Sequence, residues 1–362
     1  MIEEMDLSVL VTPTLQWYDQ HKRQLPWRKD KNPYHIWVSE IMLQQTRVEA
    51  VIPYYERFMQ ALPTIEALAE CEEDPLLKLW EGLGYYNRVR NMQKAAKFIC
   101  AQYDGQMPQT YEQIVALPGI GPYTAGAIAS IAFDERVPAV DGNVLRILAR
   151  VSEDDRDILK DATKKRMTAA LQQIMPEEAG AFNQALMEIG ALVCIPNGQP
   201  KCEECPWQPY CQACKHETYD RLPVKTKAKP RRIEEKTVLL IRDGEKIVLR
   251  KRPPKGLLAG LYELPNLPGY LKEEEVLAFV RSQNLAPLQI KKLPDAKHIF
   301  SHIEWLMQGY LVQVADVDSF HSDEALSKGP EDYLLVEIEK TKNAYAIPSA
   351  FDRYAAYIAL RD

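Results

Sequence analysis

Two carboxylic acids occupy positions that suit proton-transfer chemistry. Glu40 lies among apolar neighbours in WVSEIMLQQT (37–46), and such burial raises the pKa of a carboxyl group into the range of a general acid. Asp141 lies in VPAVDGNVLR (137–146), at a turn that opens a predicted helix. Ordinary explanations also exist: an exposed helix glutamate or an arginine partner for Glu40, and a helix N-cap for Asp141.

A glycine-rich turn precedes the second acid in the sequence LPGIGPYTA (117–125). Gly119 and Gly121 allow a tight turn in which no Cβ obstructs a close ligand. The helix that begins near Thr124 would present free N–H groups, which form an anion site suited to a phosphate. Taken alone, two spaced glycines are better explained by a plain loop between core helices.

Five of the seven cysteines fall within 21 residues, from Cys194 to Cys214. In a reducing compartment such a cluster indicates metal binding before disulfides. Two alternative sets of four cysteine ligands are possible. The first set fits an iron–sulfur cluster and consists of Cys194, Cys202, Cys205 and Cys211. The second fits a four-cysteine zinc site and consists of Cys202, Cys205, Cys211 and Cys214.

The chain divides into two parts that differ in their predicted secondary structure. Residues 7–215 show helical periodicity nearly throughout, with proline and glycine between the helices. Residues 222–236 are basic and contain two prolines, which predicts an extended linker. Strand-like runs then flank Asp243-Gly244, a strong hairpin signal, and a helix fits 273–283. The second part is therefore predicted to be α+β.

Length and composition agree with two soluble domains. The chain has 362 residues, 46% hydrophobic and 27% charged, and no apolar run approaches the ~20 residues of a membrane span. The acidic N-terminus lacks the hydrophobic region of a signal peptide, so we expect a cytoplasmic protein. The net charge is −6, yet residues 222–236 carry six basic and two acidic side chains. Binding of a polyanion must therefore depend on particular amides and placed cations.

Three segments resemble the helix-hairpin-helix glycosylase superfamily, and within it the MutY family of adenine glycosylases. They are SEIMLQQT (39–46), WEGLGYYNR (80–88) and VDGNVLR (140–146). The resemblance implies an all-α helix-hairpin-helix glycosylase domain at 1–221, with an iron–sulfur loop at 194–214. It further implies the basic linker 222–236 and an α+β Nudix-like domain at 237–362.

The family resemblance assigns roles in base excision. Glu40 would protonate adenine N7, Asp141 would stabilise the oxocarbenium-like sugar, and Asn143 would help to hold the geometry. The adenine must first leave the base stack. The residues implied at the adenine, or in the space that it leaves, are Trp27, Arg28, Leu43, Gln45, Thr46, Leu83, Tyr85 and Gln184.

One hairpin position decides the reaction type. Superfamily members with lyase activity carry a lysine directly before the threonine, and here that position is Tyr123. Tyrosine forms no Schiff base with an abasic sugar, so we expect a monofunctional enzyme that leaves an abasic site. The hairpin residues implied to hold the DNA backbone are Gly119, Gly121, Tyr123 and Thr124.

The resemblance also favours the first cysteine set as ligands of a [4Fe–4S] cluster. One departure from the family pattern is the first gap, which has seven residues between Cys194 and Cys202 instead of six. A bulged turn at Asn197-Gly198 would absorb the additional residue.

The second domain resembles the family's lesion-recognition module. Residues 251–265 resemble the opening of a Nudix domain, but 272–278 lack the acidic magnesium-binding pattern, so nucleotide hydrolysis is rejected. Phe300 would wedge into the stack, and Ser301 and His302 would hydrogen-bond 8-oxoguanine.

The implied partner is double-stranded DNA with adenine opposite 8-oxoguanine or guanine, bound by a monomer, with no membrane partner. Two alternatives are disfavoured. A glycosylase for thymine mispairs fits poorly with Gln44-Gln45-Thr46 and the Nudix-like tail, and a non-catalytic DNA-binding module fits poorly with two intact acids.

Overall fold

The computed structural model describes residues 2–227, 229–315 and 333–358. Met1, Ala228 of the predicted linker, and 316–332 and 359–362 of the predicted second domain lie outside the described residues. The chain divides into two compact units. One comprises Met1–Cys71 and Asn87–Ala228, and the other comprises Glu72–Tyr86 and Lys229–Asp362. Within the described ranges, every helix is too short or too polar to cross a membrane.

The first unit is helical, as its periodicity predicted. Its α-helices, together with α5 of the second unit, are α1 (Val11–His21), α2 (Pro33–Leu43), α3 (Val48–Ala61), α4 (Ile65–Glu70), α5 (Glu73–Leu79), α6 (Asn87–Tyr103), α7 (Tyr111–Val115), α8 (Pro122–Phe133), α9 (Gly142–Val151), α10 (Asp161–Gln173), α11 (Ala179–Glu188) and α12 (Gln212–Lys215). Short 3-10 turns lie at Ile2–Glu4, Leu7–Leu10, Pro26–Arg28 and Cys202–Glu204, and a π-helical turn lies at Ile189–Val193.

Helix α2 packs against α8, and α8 in turn packs against α11. Asn32 caps its N-terminus by accepting the Tyr34 amide at 2.9 Å, and Pro33 occupies the first turn, where its missing N–H costs no hydrogen bond. Nearly all of its side chains are buried. Glu40 is one of these buried residues, so little of its carboxyl group is exposed to water.

The hairpin between α7 and α8 depends on one glycine. Gly119 has a φ of +74°, and a Cβ there would lie 2.5 Å from Cβ of Asn91. A side chain is therefore excluded both by the left-handed backbone and by its neighbour. Gly121 is the N-cap of α8, which begins at Pro122. The first amides of α8 therefore follow directly after this turn.

The second unit contains a mixed sheet. Its strands are β1 (Arg232–Arg242), β2 (Lys246–Lys251), β3 (Tyr262–Glu263), β4 (Asn266–Pro268), β5 (Pro287–Ile299), β6 (Ile303–Val314) and β7 (Tyr333–Glu337). The order is β3-β2-β1-β6-β5, with β4 paired to β1 and β7 paired to β2. Only β1 and β6 among these described strands run parallel. This confirms the α+β prediction, although β1 begins within the segment predicted as linker.

Hydrophobic cores cover both faces of the sheet. Val238 and Leu240 of β1 belong to one core, and Leu239 and Ile241 belong to the other, because successive side chains of a strand point to opposite faces. The second core includes residues of α13 (Glu273–Ser282), which confirms the predicted helix. The other helices among the described residues of this unit are α14 (Ile338–Thr341), α15 (Asp352–Ala355) and the 3-10 turn Ser349–Phe351.

The predicted hairpin at Asp243-Gly244 is confirmed. Gly244 has a φ of +122°, and the Asp243 carboxylate accepts the Lys246 amide at 2.9 Å. Arg242 pairs with Ile247 across the turn. The turn sets the register of β1 and β2, so the alternation along β1 matches the two cores.

Segment Glu72–Tyr86 belongs with the sheet although it lies between α4 and α6 in the sequence. The Lys251 ammonium binds the Asp74 carboxylate at 3.0 Å. Lys78 donates to the main-chain carbonyl of Thr341 at 3.1 Å. These contacts join an early helical segment to strands and loops that the chain supplies much later.

Candidate active site

A cleft of about 1110 Å³ opens in the first unit and gathers residues from distant parts of the chain. The residues predicted from sequence that line it are Trp27, Arg28, Glu40, Leu43, Thr46, Tyr123, Asp141, Asn143 and Gln184. Helices α2, α8, α9 and α11 bring these side chains together.

Glu40 is the buried acid of this cleft, with 6% of its surface exposed. The Tyr123 hydroxyl donates to its Oε2 at 2.6 Å. Burial raises the pKa of Glu40 to about 7, and the charge of Asp141 adds to that rise, while the Tyr123 hydrogen bond and the Arg28 charge oppose it. The predicted rise in pKa is confirmed. A carboxyl group with this pKa can hold a proton near neutral pH and release it to a base.

Asp141 is both a helix N-cap and a wall of the cleft. Its Oδ1 accepts the amides of Asn143 and Val144 at 2.9 and 2.8 Å, and its Oδ2 accepts Nδ2 of Asn143 at 2.8 Å. The two explanations weighed from sequence are therefore compatible. The capping bonds fix the orientation of the carboxylate that faces the cleft.

Asn143 is held in turn by buried Arg146 of α9. Arg146 Nη1 donates to Asn143 Oδ1 at 2.9 Å, and its Nε donates to the carbonyl of Cys194 at 3.0 Å. A third bond, from Nη2 to the Gly190 carbonyl, measures 2.7 Å. The start of the cysteine loop is thus connected by hydrogen bonds to the groups that orient Asp141.

The backbone of Tyr123 belongs to the hairpin region, and its side chain hydrogen-bonds Glu40. It is the second residue of α8, and burial raises the pKa of its hydroxyl well above the usual value. The hydroxyl therefore stays protonated and donates to Glu40.

The first internal bond of α8 runs from the Ala125 amide to the Gly121 carbonyl. The amides of Tyr123 and Thr124 precede it and are available to an anion. The Thr124 side chain is buried, so a phosphate contact there would use its amide and not its hydroxyl.

A charged cluster in the cleft wall was missed by the reasoning from sequence. Glu188 is 1% exposed, and it accepts Arg28 Nη2 at 2.7 Å and Arg23 Nε at 2.8 Å. A signal was present: Glu188 lies in the apolar run ALMEIGALV (185–193), which is the same cue that identified Glu40.

Six of the residues predicted to contact the adenine, the space that it leaves or the lesion do not line this cleft. Gln45 lies in the first unit, is exposed and has a φ of +62°. The others belong to the second unit and are Leu83, Tyr85, Phe300, Ser301 and His302. Leu83 is buried, whereas Tyr85 is 51% exposed. The Tyr85 hydroxyl lies 3.2 Å from Oγ of Ser301, so the structure brings together two residues that the sequence separates widely.

Phe300 is anchored by its aromatic neighbours, while the two residues after it are exposed. Its ring centroid lies 4.6 Å from that of His298 and 4.9 Å from that of Trp305. Trp305 is 1% exposed. Ser301 and His302 project from the turn between β5 and β6 with exposed side chains. Burial lowers the pKa of His298, which favours a neutral imidazole in this stack.

The five clustered cysteines line one small cavity of about 30 Å³. Arg150 Nη1 lies 3.3 Å from Sγ of Cys194, which places a guanidinium group beside this sulfur. Within the described parts of the chain, no three His, Cys, Asp or Glu side chains converge tightly enough to hold a metal ion. In the polypeptide alone, burial raises the pKa of Cys205 to about 12. Thiolates here would need a compensating positive group.

Cys214 is close to the predicted ligands, since its side chain hydrogen-bonds the Cys202 thiol. The additional residue in the first gap coincides with a turn in which Gly198 has a φ of +80°. That conformation is the one expected for a bulge at Asn197-Gly198.

Comparisons with known proteins cover both units. Residues 38–177 match the family described as HhH-GPD superfamily base excision DNA repair protein, and residues 237–357 match the NUDIX domain family. Among solved structures, a thermostable thymine-DNA glycosylase aligns with a TM-score of 0.52 and 27% identity, covering 57% of this chain and 96% of that one. These matches confirm the two predicted fold families.

Curated relatives identify the family within this superfamily. Adenine DNA glycosylase of Rattus norvegicus is 36% identical over 364 aligned positions, covering 84% of this chain and 70% of the relative. Adenine DNA glycosylase of Buchnera aphidicola subsp. Baizongia pistaciae is 36% identical over 304 positions, covering 83% and 84%. The chain therefore belongs to the adenine DNA glycosylase family of base excision repair, and is a DNA N-glycosylase.

Proposed function

We propose that this enzyme hydrolyses the N-glycosidic bond of adenine opposite 8-oxoguanine or guanine in duplex DNA and leaves an abasic site. The observation that carries the proposal is Glu40, a buried carboxyl group with a pKa of about 7 in a cleft shared with Asp141. The names of the curated relatives support adenine as the base.

Glu40 starts the reaction by donating its proton to N7 of an adenine that has left the base stack. The electron pair of the bond between C1′ and N9 then passes to the base. Protonation lets the base depart as neutral adenine, which is a far better leaving group than its anion. The Tyr123 hydroxyl, donating to Oε2 of Glu40 at 2.6 Å, stabilises the carboxylate that remains.

Asp141 stabilises the cationic sugar that forms as the bond breaks. Water then adds to C1′, and the proton that it releases restores the acid form of Glu40. The bonds from Asn143 to the Asp141 carboxylate, at 2.8 and 2.9 Å, hold it in place during both steps. Such fixed charges act without reorganisation at the moment of reaction.

The same site supports a monofunctional reaction. Lyase chemistry needs an amine that forms a Schiff base with the sugar, and the corresponding hairpin position carries Tyr123. Its hydroxyl is protonated and committed to Glu40. We therefore propose that strand scission does not follow base removal. The amides at the start of α8 are proposed to bind a DNA phosphate.

Recognition of the opposite base is proposed for the turn between β5 and β6. Ser301 and His302 offer exposed hydrogen-bonding groups, and Phe300 is braced by Trp305 at 4.9 Å between ring centroids. Tyr85, whose hydroxyl lies 3.2 Å from the Ser301 hydroxyl, is proposed to enter the stack beside the lesion.

We further propose that Cys194, Cys202, Cys205 and Cys211 hold a [4Fe–4S] cluster. The five clustered cysteines share one cavity, and the match to the HhH-GPD family favours an iron–sulfur cluster over a zinc site. The cluster would tie the loop together as a structural centre.

Metal analysis of the purified protein tests the cluster. We expect about four irons per chain and a brown protein. Cys205→Ser should lose the iron, whereas Cys214→Ser should retain it. Zinc without iron, together with metal loss in Cys214→Ser, would establish a zinc site instead. Its ligands would be Cys202, Cys205, Cys211 and Cys214.

A single-turnover assay tests the function. Duplexes carrying adenine opposite 8-oxoguanine, adenine opposite guanine, and thymine opposite guanine are compared, with and without alkali treatment. We expect excision of adenine in the first two, fastest for the first, with strand breaks only after alkali. Excision of thymine would reassign the base, and breaks without alkali would contradict monofunctional chemistry.

A further inference from the structure

Glu188 is a buried carboxylate that takes no part in the proposed reaction steps. It is the last residue of α11, directly before the π-helical turn Ile189–Val193, and it is 1% exposed. Both of its oxygens accept guanidinium groups. Oε2 accepts Arg23 Nε at 2.8 Å, and Oε1 accepts Arg28 Nη2 at 2.7 Å.

The local charge is unbalanced. Two guanidinium groups, with 25% and 16% of their side chains exposed, share one buried carboxylate. Arg23 has a second anion, Glu49, at 3.6 Å, but that side chain is 77% exposed, so water screens its contribution. Removing the charge of Glu188 would leave two nearly uncompensated cations in the cleft wall.

One of these cations acts on the acid. The charged and titratable groups that face Glu40 are Tyr123 from α8, Asp141 at the start of α9, and Arg28 from the turn Pro26–Arg28. Arg28 favours the ionised form of Glu40. The reaction itself generates positive charge on the protonated base and the sugar, which an uncompensated guanidinium would oppose.

We propose that Glu188 is a positioning residue of this active site, which fixes Arg28 in the cleft wall and offsets the positive charge of Arg28 and Arg23 beside the general acid. Glu188 acts through Arg28 on Glu40 and touches no reacting atom. The inference depends on the proposed role of Glu40 as the proton donor.

The test is the pH dependence of single-turnover adenine excision by the full-length protein. Since Glu40 acts in its protonated form, the rate falls as pH rises through its pKa. Glu188→Gln retains the shape but adds net positive charge, so this falling limb should move to lower pH by about one unit. Arg23→Met removes one of the two cations that bind Glu188. The positive charge near Glu40 is then smaller, so the falling limb should move to higher pH.

Opposite shifts in the two variants are a result that a merely structural role of Glu188 does not produce. If both variants lose rate equally at every pH, with the limb unmoved, the proposal is overturned. If Glu188→Gln does not fold, Arg23→Met decides alone: an upward shift supports the proposal, and an unmoved limb rejects it.

A third variant separates this inference from the proposed function. Tyr123→Phe removes the hydrogen bond that favours ionised Glu40, so its falling limb should move to higher pH. If Tyr123→Phe shifts the limb and neither Glu188→Gln nor Arg23→Met does, Glu40 remains the acid and Glu188 loses its role. If none of the three shifts it, Glu40 is not the titrating acid.

Discussion

The acid cleft and the turn between β5 and β6 differ in how their polar groups are satisfied. In the cleft, Glu40 is 6% exposed, and its carboxyl group accepts the Tyr123 hydroxyl at 2.6 Å. In the turn, Ser301 and His302 are exposed, and the Ser301 hydroxyl has a neighbour at 3.2 Å in Tyr85.

The roles proposed for the two regions account for this difference. A group that stabilises a transition state works best when its orientation is fixed beforehand, because reorganisation would add to the barrier. A group that recognises a base must stay accessible until the base arrives, so its hydrogen bonds are completed by the ligand. Substitutions in the cleft should therefore change rate, whereas substitutions in the turn should change preference between substrates.

The largest effect is expected for Glu40→Gln. Glutamine preserves the shape and accepts the Tyr123 hydrogen bond, but it has no proton to donate to the base. Excision should fall by about 10²–10⁴-fold, while binding to lesion-containing duplex is retained. Single-turnover kinetics and gel-shift titration measure the two quantities. Near wild-type rates would remove Glu40 from the acid role.

Asp141→Asn should have the next largest effect, and it separates the two roles of this residue. Asparagine caps helices about as well as aspartate, so the melting temperature should change by no more than about 2 °C. The rate should nevertheless fall by about 10²-fold, because the negative charge beside the sugar is lost. Thermal unfolding and excision rates are compared directly. A large drop in melting temperature with a matching loss of activity would show that capping is its main task.

The smallest effect is expected for Ser301→Ala combined with His302→Ala. These side chains are exposed, so stability should change by less than about 0.5 kcal/mol. Excision opposite 8-oxoguanine should slow by a few-fold, with little change opposite guanine. Lys297→Ala, at an exposed residue of β5, serves as the matched control. Equal slowing on both substrates would make the turn a general DNA contact instead of a recognition element.

Sequence reasoning succeeded where a local pattern reports burial or a turn. The apolar run around Glu40 predicted a raised pKa, and Asp243-Gly244 predicted the hairpin that the sheet contains. It could not supply pairings between distant residues. Tyr123 and Glu40 are 83 positions apart, and nothing local to either residue determines that they meet.

The charged cluster in the cleft wall illustrates the same limit. Glu188 and Arg23 are 165 positions apart. The local sequence around either residue therefore cannot predict that the two form an ion pair. The apolar run around Glu188 would have predicted burial. Which cations compensate the carboxylate depends on how α11 packs against α1, and that packing is a property of the assembled core.

Segment Glu72–Tyr86 has a consequence for the order in which the chain folds during synthesis. Asp74 precedes its partner Lys251 by 177 residues. At about 5–20 residues per second, a ribosome needs roughly 9–35 s to supply that partner. Helix α5 is therefore synthesised that long before Lys251, and during this time its partner in the second unit is missing.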